Sequence, residues 1–423
     1  MNFFNNLKKK LEKKTAVVCI VGVGYVGEGL LKEFSQTGYK TIGLDINLKN
    51  LHKKKFSKNV SLTKNYEKIK YSDVIIITLP TPLNNQLKPN LSIIRKSISK
   101  MKKYLKKGQL ISFESTTYPG STRDIFVPFL NKKFDLGKDF FLTYSPERVS
   151  PEFKIKNKEI KYGLTNTPKV VSGYSDNCKK IGKILYGKII NKIVLSSKIE
   201  IAETSKMIEN TFRSVNIALV NELKMFLSKI KIDIHECLDL AATKPFGFTK
   251  FVPGPGYGGH CIPIDPFYLY WLAKKKNYEL KFIKTSGLVN RKITKWITDK
   301  LIRFLKRSDL ALKSKRVLIL GASYKADIDD VRESPTIKII KQLKNAGYKA
   351  DYSDPYVKEI DIDGRVKRSV RLDDKCFKKY PVILIATDHS VFDYEMIARK
   401  SKFLFDARNS KSRYFKKENY FKV

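Results

Sequence analysis

The sequence predicts an α/β protein with two doubly wound domains joined by a long central helix. Three observations predict it. Short β-branched runs alternate with amphipathic helical stretches from residue 15 onward, and the same alternation restarts at residue 316. Between the two, residues 199–227 read as one unbroken helix. Strand–helix alternation of this kind specifies parallel sheets covered by crossover helices. The segments fall at residues 1–198, 199–305 and 306–423.

The elements follow in order. Residues 1–14 read as a basic leader, partly helical or frayed, without a targeting role. Residues 15–21 form a β-branched run suited to a buried parallel strand. A glycine turn at 22–27 leads into a helix expected over 28–37, which Gly38 ends. Strands are expected at 39–45, 73–78, 110–113 and 140–143. In the central segment Met207, Ile208, Phe212, Val215, Leu219 and Leu223 recur near helical spacing, as in a helix that joins domains and forms a subunit interface. A helix near 283–304 precedes a basic connector at 306–316. The second alternation has strands at 316–321, 349–352, 381–386 and 403–406, and a helix at 335–345 closed by Gly347.

Composition narrows the function classes. A hydrophobic fraction of 42% over 423 residues suits a soluble globular chain of two to three domains. The cysteines Cys19, Cys178, Cys237, Cys261 and Cys376 are scattered with no CxxC pair, which argues against a disulfide framework or a zinc site and for a reducing cytoplasm. No metal site is expected, and no stretch is apolar enough for membrane insertion. The formal charge of +43 raises nucleic-acid or anionic-membrane binding, but the lysines run through nearly every segment and form no stripe. A lysine-biased proteome gives the same result, and no specific nucleic-acid partner is expected. An anionic substrate would benefit from the field either way.

Several segments carry chemistry. Gly22-Val-Gly24-Tyr25-Val26-Gly27 lies between an expected strand and helix, with Asp45 at the end of the next strand. That is the Rossmann dinucleotide pattern: a tight turn brings a pyrophosphate to a helix N-terminus and the acid meets a ribose. An acid there repels a 2′-phosphate, so the expected cofactor is NAD. Thr81 and Pro82, and Ser115 and Thr116, follow strand ends on the edge where open sheets bind ligands, although hydroxyl-rich turns are also ordinary turn chemistry. Glu147 and Arg148 follow another strand, where the acid either positions water or forms a surface salt bridge.

On the long helix Lys206, Asn210 and Arg213 form a polar stripe, fit for an oxyanion or merely solvated. The segment Pro253-Gly-Pro-Gly-Tyr-Gly-Gly-His-Cys-Ile-Pro-Ile-Asp-Pro266 puts Cys261 after a glycine-rich loop and Asp265 four residues on. Pro263 and Pro266 suit the first turn of a helix, which would place the thiol at a helix N-terminus with the acid beside it. The reading is a nucleophile with a neighbouring base; the alternative is an inert cysteine after a turn. In the last segment Lys325 and Arg332 face a strand–loop able to hold phosphates.

These segments together resemble the UDP-sugar 6-dehydrogenase family, in order, from GVGYVG through STTYPG, YSPER, SKMIENTFRSVNIALVNEL, PGPGYGGHCIPIDPFYL, SYKADIDDVRESP and YSDPYV to FDAR. The resemblance implies a four-electron oxidation of the sugar C6 alcohol to a carboxylate with two NAD in turn. It implies that Cys261 is the nucleophile, that Asp265 orients a water that takes the alcohol proton, that Lys206 and Asn210 stabilise oxyanions, and that Thr116 and Glu147 handle the hydrolytic water. It assigns the UDP-sugar to Glu147, Arg148, Lys206, Asn210, Arg213, Phe251, Gly258, Lys325 and Arg332. It also implies a homodimer through the central helix and a place in surface polysaccharide or lipopolysaccharide biosynthesis.

YSPER and GGHCIPIDPFYLYW, with His260 and Ile264, resemble the UDP-N-acetylglucosamine branch. Val149 echoes UDP-N-acetylmannosamine enzymes, which leaves the epimer open along with UDP-N-acetylgalactosamine and UDP-glucose. Two rivals remain: a two-electron hydroxyacid dehydrogenase, which needs no cysteine, and a basic nucleic-acid or membrane-surface protein on a Rossmann scaffold.

Overall fold

In the computed structural model the described residues are 2–52, 55–84, 86–149, 163–259, 261–307, 315–409 and 419–423. The chain divides into two compact units. The first comprises Met1–Glu209 and Trp271–Tyr278, the second Asn210–Tyr270 and Glu279–Val423.

The first unit is built on a sheet of strands β1 (Val17–Val21), β2 (Lys40–Leu44), β3 (Val60–Thr63), β4 (Val74–Ile77), β5 (Leu110–Phe113), β6 (Phe141–Tyr144), β7 (Lys169–Gly173) and β8 (Ile193–Leu195). Their spatial order is β3-β2-β1-β4-β5-β6-β7-β8. The first six strands reproduce the doubly wound dinucleotide-binding order. All pairings are parallel except that of β6 with β7. Val21 is in register with both Leu44 and Ile77, so the turns after β1, β2 and β4 open on one carboxyl edge.

The central strands are buried on both faces, which is why β1 and β4 read as continuous apolar runs and β5 as one broken only by Ser112. Alternate residues face opposite cores: Cys19, Val21, Ile75, Ile77, Ile111 and Phe113 enter one, and Val18, Ile20, Val74, Ile76 and Leu110 the other. Helices α1 (Phe3–Glu12), α2 (Tyr25–Gln36), α3 (Leu48–Leu51), α4 (Ser92–Met101), α5 (Ser121–Leu130), α6 (Asp176–Tyr186) and the first part of α7 (Ile199–Leu227) belong to this unit, as does the end of the helix over Asp265–Lys275.

Of the two alternatives for the basic leader, partly helical or frayed, the structure has the helix, and one boundary is corrected. Asn2 caps α1, and Leu7 and Leu11, one turn apart, are buried in the sheet core with the lysines outside. Helix α2 begins at Tyr25 rather than residue 28, because the last glycine of the fingerprint lies within the first helical turn and does not end the loop. Strands β3, β7 and β8 were not expected: β3 and β8 are edge strands whose residues are largely half-buried or exposed, and the interior β7 carries only two consecutive apolar residues, Val170 and Val171.

The second unit has a parallel sheet of β9 (Arg316–Leu320), β10 (Lys349–Ser353), β13 (Val382–Ile385), β14 (Phe403–Asp406) and β15 (Tyr420–Lys422), in the order β10-β9-β13-β14-β15, and a separate hairpin of β11 (Glu359–Ile362) and β12 (Arg365–Arg368). Its helices are the remainder of α7, α8 (Ile234–Ala241), the start of α9 (Asp265–Lys275), α10 (Lys281–Arg307), α11 (Pro335–Asn345), α12 (Asp374–Lys379) and α13 (Tyr394–Lys400). Ile293, Ile297, Leu301 and Leu305 of α10 pack with Ile339, Ile340 and Leu343 of α11 over the sheet.

Buried amides tie α7 to α10. Asn221 Nδ2 donates to Asn290 Oδ1 at 2.9 Å, and Asn290 Nδ2 donates to the Ser214 carbonyl at 3.1 Å. The opposite face of α7 leaves Phe212, Leu219 and Phe226 about half exposed. Among the described residues no helix is long and apolar enough to cross a membrane.

Candidate active site

The dinucleotide turn of the first unit is built by close contacts. Gly22 has φ +95°, and its N–H donates to the Leu44 carbonyl at 2.9 Å. Thr78 Oγ1 donates to the Gly22 carbonyl at 2.6 Å. A Cβ on Gly27 would sit 2.1 Å from the Gly22 carbonyl oxygen, so only glycine lets α2 start here. Nothing lies within 4 Å of a Cβ built on Gly24, the N-cap of α2, and no side chain caps that helix.

Tyr25 is 53% exposed and Val26 half-buried. Asp45 accepts from Val23 N at 2.7 Å and from Asn47 N at 2.8 Å, which fixes the carboxylate beside the glycine turn. An open helix N-terminus with a carboxylate at its side fits the diphosphate and ribose of NAD. The loops alongside are stitched together: Thr81 Oγ1 donates to the Thr116 carbonyl at 2.5 Å and Ser115 Oγ to the Leu79 carbonyl at 2.7 Å, with Pro82 and Thr116 half-buried.

Glu147 follows β6 and is no surface salt bridge. Its Oε1 accepts the Arg148 and Val149 amides, each at 2.7 Å, and its Oε2 lies 3.4 Å from Lys169 Nζ. Arg148 pairs instead with Glu209 of α7 at 2.8 Å. Three residues before Lys206, the buried Glu203 accepts from Gly120 N, Ser121 Oγ, Thr122 N and Thr122 Oγ1 at 2.5–2.9 Å. Burial pushes the Glu203 carboxyl up, and the Thr122, Gly120 and Ser121 donors pull it back only partly. This contact ties the turn of α7 that carries the half-buried Lys206 to the end of the Thr116 loop.

In the second unit Cys261, expected at a helix N-terminus, lies one turn ahead of the first residue of α9. Its carbonyl accepts from Ile264 N at 3.0 Å and Asp265 N at 2.8 Å, so Asp265 opens the helix. Pro266 is in the first turn, and Pro263 belongs to the preceding turn. Asp265 and Asn210 are each 3% exposed, and Asn210 Nδ2 donates to Asp265 Oδ2 at 2.6 Å. The expected stripe of Lys206, Asn210 and Arg213 is therefore not a uniform solvated face: Asn210 is buried and Arg213 exposed. His260 lies outside the described residues.

The glycine loop packs against the loop after β9. A Cβ on Gly258 would stand 2.3 Å from Tyr324 Cβ, and Gly259 N donates to the Arg332 carbonyl at 2.8 Å. Cys261 is half-buried and lies within electrostatic reach of Tyr324 and Arg332. Burial, then Asp330 and Cys261, push the Tyr324 hydroxyl up to about 12, while Arg332 and Arg213 draw it the other way. Arg332 grips Asp330 through Nε at 2.9 Å and Nη2 at 2.5 Å, and burial lowers the Lys325 ammonium from its ordinary value. Phe251 meets Phe212 edge-on, with centroids 5.7 Å apart.

Three family models match this chain: the NAD binding domain over residues 16–190, the central domain over 200–292 and the UDP binding domain over 318–413. The chain belongs to the UDP-glucose/GDP-mannose dehydrogenase family. It is an NAD-dependent oxidoreductase of the nucleotide-sugar dehydrogenase class. It is 33% identical to Protein CapL of Staphylococcus aureus over 92% of this chain and 95% of that one. It is 32% identical to the UDP-N-acetyl-D-glucosamine 6-dehydrogenase of Salmonella typhi over 89% and 90%. The solved UDP-D-ManNAc dehydrogenase of Pyrococcus horikoshii superposes with a TM-score of 0.83 at 26% identity, over 96% of this chain and 98% of that one.

Within the family's NAD-binding segment lie Gly22 to Asp45, Thr116 and Glu147. The central segment holds Lys206, Asn210, Cys261 and Asp265, and the UDP-binding segment holds Lys325 and Arg332. Sequence reasoning missed Lys169, Glu203 and Tyr324. Glu203 had little signal, lying on α7 between Glu200 and Glu209. Lys169 had none, being one of 84 lysines and arginines.

Proposed function

We propose that this family member oxidises the C6 hydroxymethyl group of a UDP-N-acetylhexosamine to a carboxylate, with UDP-N-acetylglucosamine the preferred substrate. The observation that carries the reading is the buried Asn210–Asp265 hydrogen bond of 2.6 Å one turn after Cys261. It gives a fixed carboxylate beside a thiol on a glycine loop, which a simple alcohol dehydrogenase does not need. NAD, when bound, accepts the hydride released in each of two oxidations.

The residues divide the remaining work. Asp265 orients a water that takes the proton of the C6 alcohol. Cys261, as thiolate, adds to the aldehyde carbon and keeps the half-oxidised sugar covalently held. Lys206 and Asn210 place donors for the negative oxygen of the adduct. After the second oxidation the sugar is a thioester of Cys261, and Glu147 with Thr116 orients the water that hydrolyses it. Lys325, Arg332 and Arg213 supply cationic groups for the diphosphate. Arg148, Phe251 and Gly258 frame the sugar.

The assay that tests this is NADH formation against a panel of UDP-sugars. Two NADH per UDP-N-acetylglucosamine support the reading, and one per sugar sinks it. A second reading, UDP-N-acetylmannosamine as substrate, draws on Val149 and on the similarity to the Pyrococcus horikoshii enzyme. Higher turnover with that epimer would select it. We also propose a homodimer through α7: Phe212, Leu219 and Phe226, 53%, 51% and 56% exposed, form an apolar stripe of the kind that marks an interface. Light scattering of Leu219→Glu against the unaltered protein checks it. The product, a UDP-uronic acid, suits donors for surface polysaccharide.

A further inference from the structure

The buried polar groups of the first unit include a chain that none of the roles above uses. Strand β7 is the one strand that runs antiparallel to its neighbour β6, pairing Tyr144 with Ser172 and Thr143 with Gly173. Its first residue therefore reaches the carboxyl edge of the sheet, where β1 to β6 end. That residue is Lys169, whose side chain is 5% exposed. Its ammonium lies 2.9 Å from Oε2 of Glu114, which follows β5 and is fully buried, and 3.4 Å from Oε2 of Glu147. Tyr186 donates to the other oxygen of Glu114, and Ser112 hydrogen-bonds Tyr186 at 2.7 Å.

A buried lysine is expensive to ionise unless it is paired. Burial works against the Lys169 ammonium, but Glu114 and then Glu147 more than offset it and raise its pKa above the ordinary value. Burial pushes the Glu114 carboxyl up, and Lys169 acts against that. The consequence for Glu147 is geometric. Two backbone amides hold one oxygen and the ammonium holds the other, so the carboxylate has one orientation.

We propose that Lys169 is a positioning residue for Glu147, holding its second oxygen aimed for the water of the hydrolytic step, with Glu114 and Tyr186 anchoring the ammonium. This rests on the role given to Glu147 above. In that step the water oxygen bonds to the thioester carbon, the carbon–sulfur bond breaks and Cys261 leaves as thiolate. Glu147 takes the water's proton and releases it to solvent. The other groups that act on Glu147 or sit beside it are Tyr25 at the start of α2, whose hydroxyl is pushed up to about 12 by burial and then by Glu147, and Arg148, already paired with Glu209.

The test uses the full chain with NAD and UDP-N-acetylglucosamine, or whichever UDP-sugar the panel selects, and compares Lys169→Met, Lys169→Arg and Glu147→Gln. Readouts are kcat, KM, the pH profile of kcat and the intact mass of the enzyme during turnover. Lys169→Met is expected to lower kcat about tenfold or more with KM within about twofold, as for a group acting on the transition state. A Cys261 acyl adduct should accumulate. Losing a nearby positive charge raises a carboxyl pKa, so the acid limb of kcat should move to higher pH. Lys169→Arg should recover most of the rate.

Because Lys169→Met strands Glu114, the double variant Lys169→Gln/Glu114→Gln, which leaves that pair neutral, must show the same adduct if the single variant does not fold. Folded Lys169 variants with no adduct and an unmoved acid limb overturn the proposal. If Glu147→Gln accumulates adduct while those variants do not, positioning by Lys169 fails and the role of Glu147 stands. Normal turnover by Glu147→Gln without adduct overturns both.

Discussion

The two glycine turns of this protein, one in each unit, start alike and end differently. Gly22 and Gly321 follow the first strand of their sheets with φ +95° and +87°. Each donates its N–H to the end of the neighbouring strand, Gly22 to the Leu44 carbonyl at 2.9 Å and Gly321 to the Ser353 carbonyl at 2.8 Å. A threonine then closes each turn, Thr78 onto the Gly22 carbonyl and Thr387 onto the Ser323 carbonyl, both at 2.6 Å. An acid follows the second strand in each case and accepts the next amide, Asp45 from Val23 and Asp354 from Ala322, both at 2.7 Å.

The resemblance stops there. Helix α2 begins at Tyr25, directly after its turn, whereas α11 begins only at Pro335, and residues 322–334 form a loop carrying Tyr324, Lys325 and Arg332. Asp45 remains partly open. Asp354 is buried and also accepts from Ser323 N, Tyr356 N, Val357 N and His389 Nε2. A tight turn presents backbone amides and a helix end to a diphosphate. An expanded turn presents side chains, and its acid becomes part of the scaffold.

Four experiments break or sharpen this contrast. The largest effect should come from Asp354→Ala, which leaves His389 and four amides without their acceptor. About 3 kcal/mol of stability should be lost in chemical denaturation. Next, Gly27→Ala forces the start of α2 off the Gly22 carbonyl, and NAD affinity by calorimetry should fall about a hundredfold, near 2.7 kcal/mol.

Third is acid unfolding. Burial opposes the Asp354 carboxylate, but His389 and the Ala322 and Ser323 amides overrule it and hold its pKa at about 2 against 3.8. A carboxyl depressed in the folded state stabilises the fold above its ordinary pKa. That contribution, about 2 kcal/mol, should disappear as the pH falls from about 4 to about 2, and Asp354→Asn should flatten this part of the curve. The smallest effect is that of Asp45→Ala, about tenfold in NAD affinity with little change in thermal midpoint. Equal stability losses for Asp45→Ala and Asp354→Ala would erase the distinction between the two acids.

The legible parts of the fold were those with a local signature. The apolar runs of β4 and β5, the long α7 and the proline-started, glycine-closed α11 are all written in consecutive residues. Helix α1 was legible only as partly helical or frayed, because its lysines mask the two buried leucines that pack it. The hairpin β11–β12 escaped notice because its residues are largely exposed and carry charges. The glycines around Cys261 were legible as a loop. That Gly258 must yield space to Tyr324, far along the chain, was not.

The order of residues by itself determined the two α/β sheets, the central helix and the chemistry-bearing segments, since periodicity and glycine turns act over a few neighbours. Only the tertiary structure decided which polar groups serve as partners. Lys169 meets Glu114 from another strand, Asn210 meets Asp265 from another helix, and Asp354 is enclosed by His389 while Asp45 is not. Burial makes an unpaired polar group costly, and the packed chain chooses its partner from residues distant in sequence.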